Sequence, residues 1–412
     1  MASMTDSRPA AADTDGTVPE PLPEFIRLAP RACPEPRKVA REIRPVIEQA
    51  AAEGEHRAYI IDDAIRAISD AGLWGLRVPR EFGGAEVDPH TYLDVVEELS
   101  YADGSTGWVF MAIGFTGGAV GLGPSAADRI YNGDEGLLAA SQISSLGKAE
   151  RIDGGYRVWD GHFHFGSGSR YASWFGGAFA IQKDSKPVLK DDGNPEWIMC
   201  MVPRDKARIK GNWDVMGLAA TGSYDFDIID QEVADDWIMG LPGREKNIGG
   251  PCQAIGISAG HVAWALGVGQ RALDEIHVLA TRKRRFQRNT LIDQPRFQLE
   301  YGRHLAAMQA ARTQVHKVFD DWYQAAHKGR VGVETVAQAR LTSCWATEVA
   351  LAAAQFAMFA SGSNGVRNDE TNLIQRAFRD LQTGSTHRHI DQEVLIECTQ
   401  VSLGVADPGL VL

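Results

Sequence analysis

The densest group of proton-handling and charged side chains lies near the C-terminus, in Leu373-Ile374-Gln375-Arg376-Ala377-Phe378-Arg379-Asp380-Leu381-Gln382-Thr383-Gly384-Ser385-Thr386-His387-Arg388-His389. Its two histidines titrate near neutrality and can exchange a proton at ordinary pH. Arg388, between them, stays protonated and cannot serve as a base. An unperturbed imidazole, with a pKa of about 6.5, is largely neutral at pH 7.5, and such a base contributes about 10²- to 10⁴-fold to a proton-transfer step. A second centre is the turn Gly166-Ser167-Gly168. Its hydroxyl can donate and accept, and its glycines let the backbone approach a planar ring closely.

These residues need a scaffold, and the patterning changes twice along the chain. Residues 1 to about 22, rich in Pro, Ala, Asp and Thr, lack the apolar groups that would offset the entropy of ordering and read as a disordered tail. From about 36 to 135 the pattern is helical, with Ile61, Ile65 and Ile68 on one face and Gly72 placed as a cap. Pro79 and Gly83-Gly84 break it; a helix over roughly 90–100 and the apolar run Trp108–Ile113 follow. Between about 136 and 240 the period becomes two, with Phe163 and Phe165 alternating with His162 and His164. From about 255 long helices return, with Val262, Leu266, Leu273 and Ile276 on one face.

With 412 residues, 44% of them hydrophobic, the chain can bury a sizeable core, and its net charge of -12 disfavours nucleic acid and anionic membrane surfaces. The basic cluster Arg282-Lys283-Arg284-Arg285 is short enough to be a solvated helix end. Five scattered cysteines without CxxC spacing predict reduced thiols in the cytoplasm. No run of 18 apolar residues predicts a membrane span. His162 and His164 lack acidic or thiol partners at ligand spacing, so no metal is expected. Rossmann, P-loop and HExxH motifs are absent, which argues against direct NAD(P)H use.

Several segments, in one order across most of the chain, resemble the acyl-CoA dehydrogenase superfamily. Ala71-Gly72-Leu73-Trp74-Gly75-Leu76-Arg77-Val78-Pro79 with Phe82-Gly83-Gly84 is similar to its N-terminal helical motif. Gly154-Gly155-Tyr156-Arg157-Val158, Phe165-Gly166-Ser167-Gly168 and Ala172-Ser173-Trp174 resemble the strand pair that passes the flavin ring, and Trp213, Gly217-Leu218 and Thr221-Gly222-Ser223 the turn after it. Gln375-Arg376-x-x-Arg379-Asp380 resembles the flavin-facing segment. In the dehydrogenases the proton-abstracting carboxylate often lies eight residues past that aspartate; here the place is Arg388, with His387 beside it, as in the oxygenase branch.

The resemblance implies an α+β fold: a helical domain over 23–135, a central β-barrel-like domain over 136–240 and a C-terminal four-helix bundle over 241–412 that mediates a homotetrameric, dimer-of-dimers assembly. It implies a flavoprotein, with reduced FAD favoured over FMN, held by Gly166, Ser167, Gly168, Trp213, Thr221, Arg379 and Asp380. A neighbouring subunit would contribute Phe286, Gln294, Gly362 and Ser363. Lys283 stands at the usual arginine place, which passes the pyrophosphate contact to Arg282 or Arg285.

The activity implied is that of a two-component monooxygenase, supplied with reduced flavin by a separate NAD(P)H:flavin reductase. Flavin and O2 would form a C4a-hydroperoxide that hydroxylates a phenol- or indole-type ring. Ser167 would contact the flavin N5 region and His387, or else His389, would withdraw the proton. On a helix His389 would point elsewhere, which makes His387 the expected base. Trp108, Phe110, Met111 and Phe115 would form an apolar wall. Alternatives are a dehydrogenase with its carboxylate relocated to Glu393 or Glu397, an N- or S-oxygenase of the same fold, and a silent flavin-fold binding protein.

Overall fold

The computed structural model describes residues 21–114, 121–191, 193–239, 256–284, 289–329, 331–369 and 371–405. Phe115, Arg285, Phe286 and nearly all of the N-terminal tail lie outside these. The first helical region comprises α1 (Glu24–Arg27), α2 (Pro36–Arg57), α3 (Asp62–Asp70), α4 (Pro89–Ala102), α5 (Gly104–Ile113) and α6 (Pro124–Asn132). Local chemistry sets the starts of the two helices that matter most for the site. Asp88 caps α4 by accepting from Thr91 N, and Asp103 caps α5 by accepting from Thr106 N at 2.8 Å.

A single sheet follows, built from β1 (Ala139–Ile152), β2 (Gly155–Gly166), β3 (Trp174–Lys183), β4 (Lys186–Pro187), β5 (Trp197–Pro203), β6 (Arg208–Ile209), β7 (Tyr224–Ala234) and β8 (Ile238–Met239). The strand order is β6-β7-β2-β1-β3-β5-β8, with β4 on β3; β1 and β3 run parallel and the other pairs antiparallel. One face gathers Val158, Phe163, Phe175, Phe179, Phe226 and Ile228 into a core of its own. The predicted alternation holds over His162, Phe163 and His164 and breaks at Phe165. Phe165 has φ +61°, the register against β7 shifts between Phe163 and Gly166, and the Phe165 ring is 66% exposed instead of facing the core. His162 and His164 do find acidic partners, across the strand pair: Asp227 at 2.8 Å and Asp225 at 3.0 Å.

The C-terminal helices are α7 (Gly256–Arg282), α8 (Pro295–His327), α9 (Val333–Ser361), α10 (Leu373–Gly384) and α11 (Gln392–Leu403). Here α7 packs against α9 and α10, α8 against α9, and α4 of the first helical region lies along α7. One continuous core therefore joins the two helical regions, including Val96, Leu99, Trp264, Leu266, Met308 and Phe319. Each such side chain contributes about 1.5–3 kcal/mol by burial. Among the described residues no helix is long and apolar enough to cross a membrane.

Candidate active site

Helix α5 carries Trp108 to the junction of the sheet and the C-terminal helices, where it is 6% exposed. Its Nε1–H donates to Ser167 Oγ at 3.0 Å. Ser167 Oγ lies 2.8 Å from Ser223 Oγ, which lies 2.7 Å from Thr221 Oγ1. Thr221 donates to the Leu218 carbonyl at 2.9 Å, and this fixes the direction of the whole chain. With its own proton spent, Thr221 accepts from Ser223, and Ser223 accepts from Ser167. Ser167 is thus left with a lone pair to offer a ligand N–H. Gly168 holds the turn at φ +71°, and a Cβ there would sit 2.4 Å from Ile113 Cγ2, so glycine is required on both counts.

The C-terminal histidines arrive by an irregular route. Helix α10 stops at Gly384, where a Cβ would lie 2.2 Å from the Trp264 ring, and the chain turns: His387 N donates to Gly384 O at 3.0 Å and Ile390 N to His387 O at 2.9 Å. Because this stretch is not helical, His389 does not point elsewhere as expected. Its ring lies 5.4 Å from that of His387 at 21°. Both rest on His261 of α7, at 4.3 Å and 29° for His387 and 5.5 Å and 37° for His389. Trp108 meets His261 and His387 edge to face, at 5.1 Å and 5.4 Å.

Burial, opposed by Asp391, lowers the His387 pKa to about 4 instead of the unperturbed value, so the ring is a weak base that stays neutral at all ordinary pH. His389 is lowered to about 4 by burial, with His387, Arg340 and Arg388 adding to the effect. The His389 backbone N–H donates to His387 Nδ1 at 3.3 Å, which makes Nδ1 the lone-pair nitrogen and puts the resting proton on Nε2. His261 escaped the sequence reading because a single histidine in the Ala- and Gly-rich run of α7 carries no spacing that sets it apart.

The Gln-Arg-x-x-Arg-Asp residues turn out to be braces. Asp380 Oδ1 accepts from Leu218 N at 2.6 Å, Arg379 donates to Met216 O at 2.7 Å, and Arg376 and Arg379 both bind Glu55 of α2. They pin the Trp213–Ser223 loop, itself closed by Trp213 Nε1 donating to Leu218 O at 3.1 Å. Burial first, and then the Asp103 carboxylate, push Asp380 up to about 7. Asp380 Oδ2, which points toward Gly104, and Thr383 Oγ1, beside Gly217, are buried with no hydrogen-bond partner among the described residues, while Phe165, in edge contact with Trp213 at 6.0 Å, stands exposed. An uncovered aromatic and the open lone pair of Ser167 beside one glycine turn fit a flat, hydrogen-bonding ring such as a flavin.

Of the expected apolar wall, Phe110 turns into the core against Trp74 at 5.2 Å, and Met111 packs toward Gly260, next to His261. Arg388, at the dehydrogenase base position, has a 75% exposed side chain, 3.9 Å from Glu397. Lys283 donates to Asn364 at 2.5 Å and so links the end of α7 to the Gly362–Asn364 turn that holds Gly362 and Ser363. Arg282 is exposed there, and Gln294 precedes α8. Arg282 lies 21 residues along α7 from His261, or about 30 Å at the helical rise, so these groups form a second cluster apart from the first.

Family models for the acyl-CoA dehydrogenase N-terminal and C-terminal domains match residues 36–122 and 259–392, together more than half of the chain. An indole-3-acetate monooxygenase of Pseudomonas putida is 28% identical over 81% of this chain and 85% of its own length. The flavin-dependent monooxygenase oxygenase subunit HsaA of Rhodococcus jostii is 28% identical over 85% of this chain and 93% of its own. Among solved structures, XiaF from Streptomyces, in complex with FADH2 and glycerol, superposes with a TM-score of 0.79 at 23% identity, covering 91% and 96% of the two chains. The chain belongs to the acyl-CoA dehydrogenase superfamily, in its flavin-dependent monooxygenase branch.

Proposed function

We propose that this protein is the oxygenase of a two-component system that hydroxylates a phenol- or indole-type ring. The observation that carries the reading is the Trp108 bridge, with Ser167 on its N–H and His387 against its ring. It joins a hydrogen-bonding turn to a neutral imidazole, while the dehydrogenase base position holds an exposed Arg388. Glu393 is exposed and Glu397 is paired with Arg340 and Arg388, which counts against a relocated carboxylate.

A bound reduced flavin, FAD in preference to FMN, supplies the electrons with which O2 is divided between product and water. Gly166, Ser167, Gly168, Trp213 and Thr221 hold its ring, with Arg379 and Asp380 bracing the loop. Ser167 accepts from the ring N–H in the direction that its hydroxyl chain leaves open. His387 takes the substrate proton at Nδ1 in place of the long 3.3 Å hydrogen bond from the His389 N–H, and His389 stands beside it as a less direct acceptor. Trp108 and Met111 shield the site from water.

The flavin tail is held by the second cluster of a neighbouring subunit, through Arg282 or Arg285, Phe286, Gln294, Gly362 and Ser363. The separation along α7 supports this, as do the exposed Phe359 and Val366 near the Gly362 turn, 75% and 69% accessible in the single chain. Reduced flavin is delivered by a separate NAD(P)H:flavin reductase in the cytoplasm.

The test is to mix the protein with chemically reduced flavin, ¹⁸O₂ and a panel of phenols and indoles. A product carrying one ¹⁸O is expected. Acyl-CoA-driven reduction of bound FAD under anaerobic conditions, with no labelled product, would refute the reading. Ser167→Ala removes the acceptor of the Trp108 N–H and of the ligand N–H. It is expected to raise the share of consumed O2 released as hydrogen peroxide severalfold, and an unchanged peroxide yield would remove Ser167 from the mechanism.

A further inference from the structure

Three imidazoles share the space beside Trp108, and His261 touches every other ring in it. His387 and His389 sit on the irregular turn after α10, where a side chain keeps rotational freedom unless its faces are packed. His261, 2% exposed, stands instead on the 27-residue helix α7 among fully buried Val262, Trp264 and Ala265. It is the rigid member of the group. A half-turn of the His387 ring would exchange Nδ1 for its C–H edge under the His389 amide and so change which nitrogen carries the lone pair.

Resting on the reading that His387 handles the substrate proton, we infer that His261 is a positioning residue: stacked on His387 and edge-on to Trp108, it locks the His387 ring with Nδ1 basic and Nε2 protonated. Without that stack the His387 ring is free to turn over, and its tautomers mix. The stack also excludes water from the imidazole, which agrees with the low basicity of His387. The groups that face the histidine pair are His261 from α7, Trp108 from α5, Arg340 from α9, and Arg388 and Asp391 on either side of the turn. Of these, Asp391 raises the His387 pKa, whereas Arg340 and Arg388 lower that of His389.

The experiment compares His261→Ala with His261→Phe, which keeps a flat ring of similar footprint and guards against simple unfolding. Imidazole ¹⁵N shifts and titration curves of His387 are recorded in the flavin-free protein, and coupling is measured with reduced flavin. In the alanine variant the His387 nitrogens are expected to average between tautomers, its titration midpoint to rise by about one pH unit or more, and kcat to fall about tenfold with KM little changed. The phenylalanine variant should keep the wild-type shifts and coupling. An alanine variant with wild-type tautomer and coupling overturns the proposal, as does a phenylalanine variant as impaired as alanine, which would make the His261 nitrogens themselves the working groups. If no panel compound is hydroxylated, the oxygenase reading falls, while the ¹⁵N shifts still decide whether His261 holds His387.

Discussion

His387→Asn is expected to lower the rate of coupled hydroxylation by about 10²- to 10⁴-fold, the range a positioned base contributes. Asparagine keeps a polar side chain between His261 and Trp108 but cannot take up a proton, so the loss reports the base and not a cavity. The wild-type pH profile carries a second expectation. The form of His387 proposed as the base is neutral and burial lowers its pKa to about 4, so the rate contributed by this group is expected to be flat from about pH 6 upward and to fall only as pH drops through 5 toward 4. In the asparagine variant that acid limb disappears. An acid limb near pH 6.5 that survives the substitution would assign the proton to another group.

The same burial affects stability. Folded His387 and His389 resist protonation while the unfolded chain takes up protons below its ordinary value of about 6.5, so stability is lost as pH falls from there toward 4. By linkage each ring accounts for about 3 kcal/mol across that window.

The opposite slope is expected from Asp380, and Asp380→Asn isolates it. Its folded pKa is raised to about 7, so the native carboxyl keeps a proton that the unfolded chain has already released. Ionising it inside the fold is penalised as pH rises from 4 through 7, by about 4 kcal/mol in full. Asparagine keeps an oxygen for the Leu218 N–H and removes the charge that faces Asp103 and Glu55. Denaturant unfolding of the flavin-free protein is expected to give a variant more stable than wild type at pH 5, and by a clearly larger margin at pH 8. A variant less stable than wild type at pH 8 would mean that the ionised carboxylate is itself a native stabilising partner. Asp380→Ala, which also removes the Leu218 anchor, is expected to loosen the Trp213–Ser223 loop and to raise peroxide release at both pH values.

The fold class was legible because it rests on periods that survive without tertiary context. Buried Ile65 and Ile68 on α3, the cap position of Gly72, the alternation of His162, Phe163 and His164 on β2 and the return of long helices from α7 onward are all local patterns. Where they failed, a backbone irregularity was responsible. Phe165 follows the alternating pattern in sequence, yet its positive φ and the shifted register turn it outward. His389 is expected to diverge from His387 if α10 continues, but the helix ends at Gly384 and the chain turns first.

The sequence by itself determined the superfamily, the three-part order of the fold, and the chemistry that an arginine at 388 forbids and a histidine at 387 permits. Those follow from residue type and spacing, which are properties of the chain alone. Only the tertiary structure decided that Arg379 and Asp380 brace a loop, that Trp108 connects Ser167 to His387, and that His261 completes the histidine cluster. Each of these depends on contacts between residues 59 to 279 positions apart, brought together by the packing of α5, α7 and α10 and by the sheet turns. The basicity of His387 belongs with them: the imidazole is the same in any sequence, and the low-dielectric surroundings that lower its pKa exist only once the chain has folded.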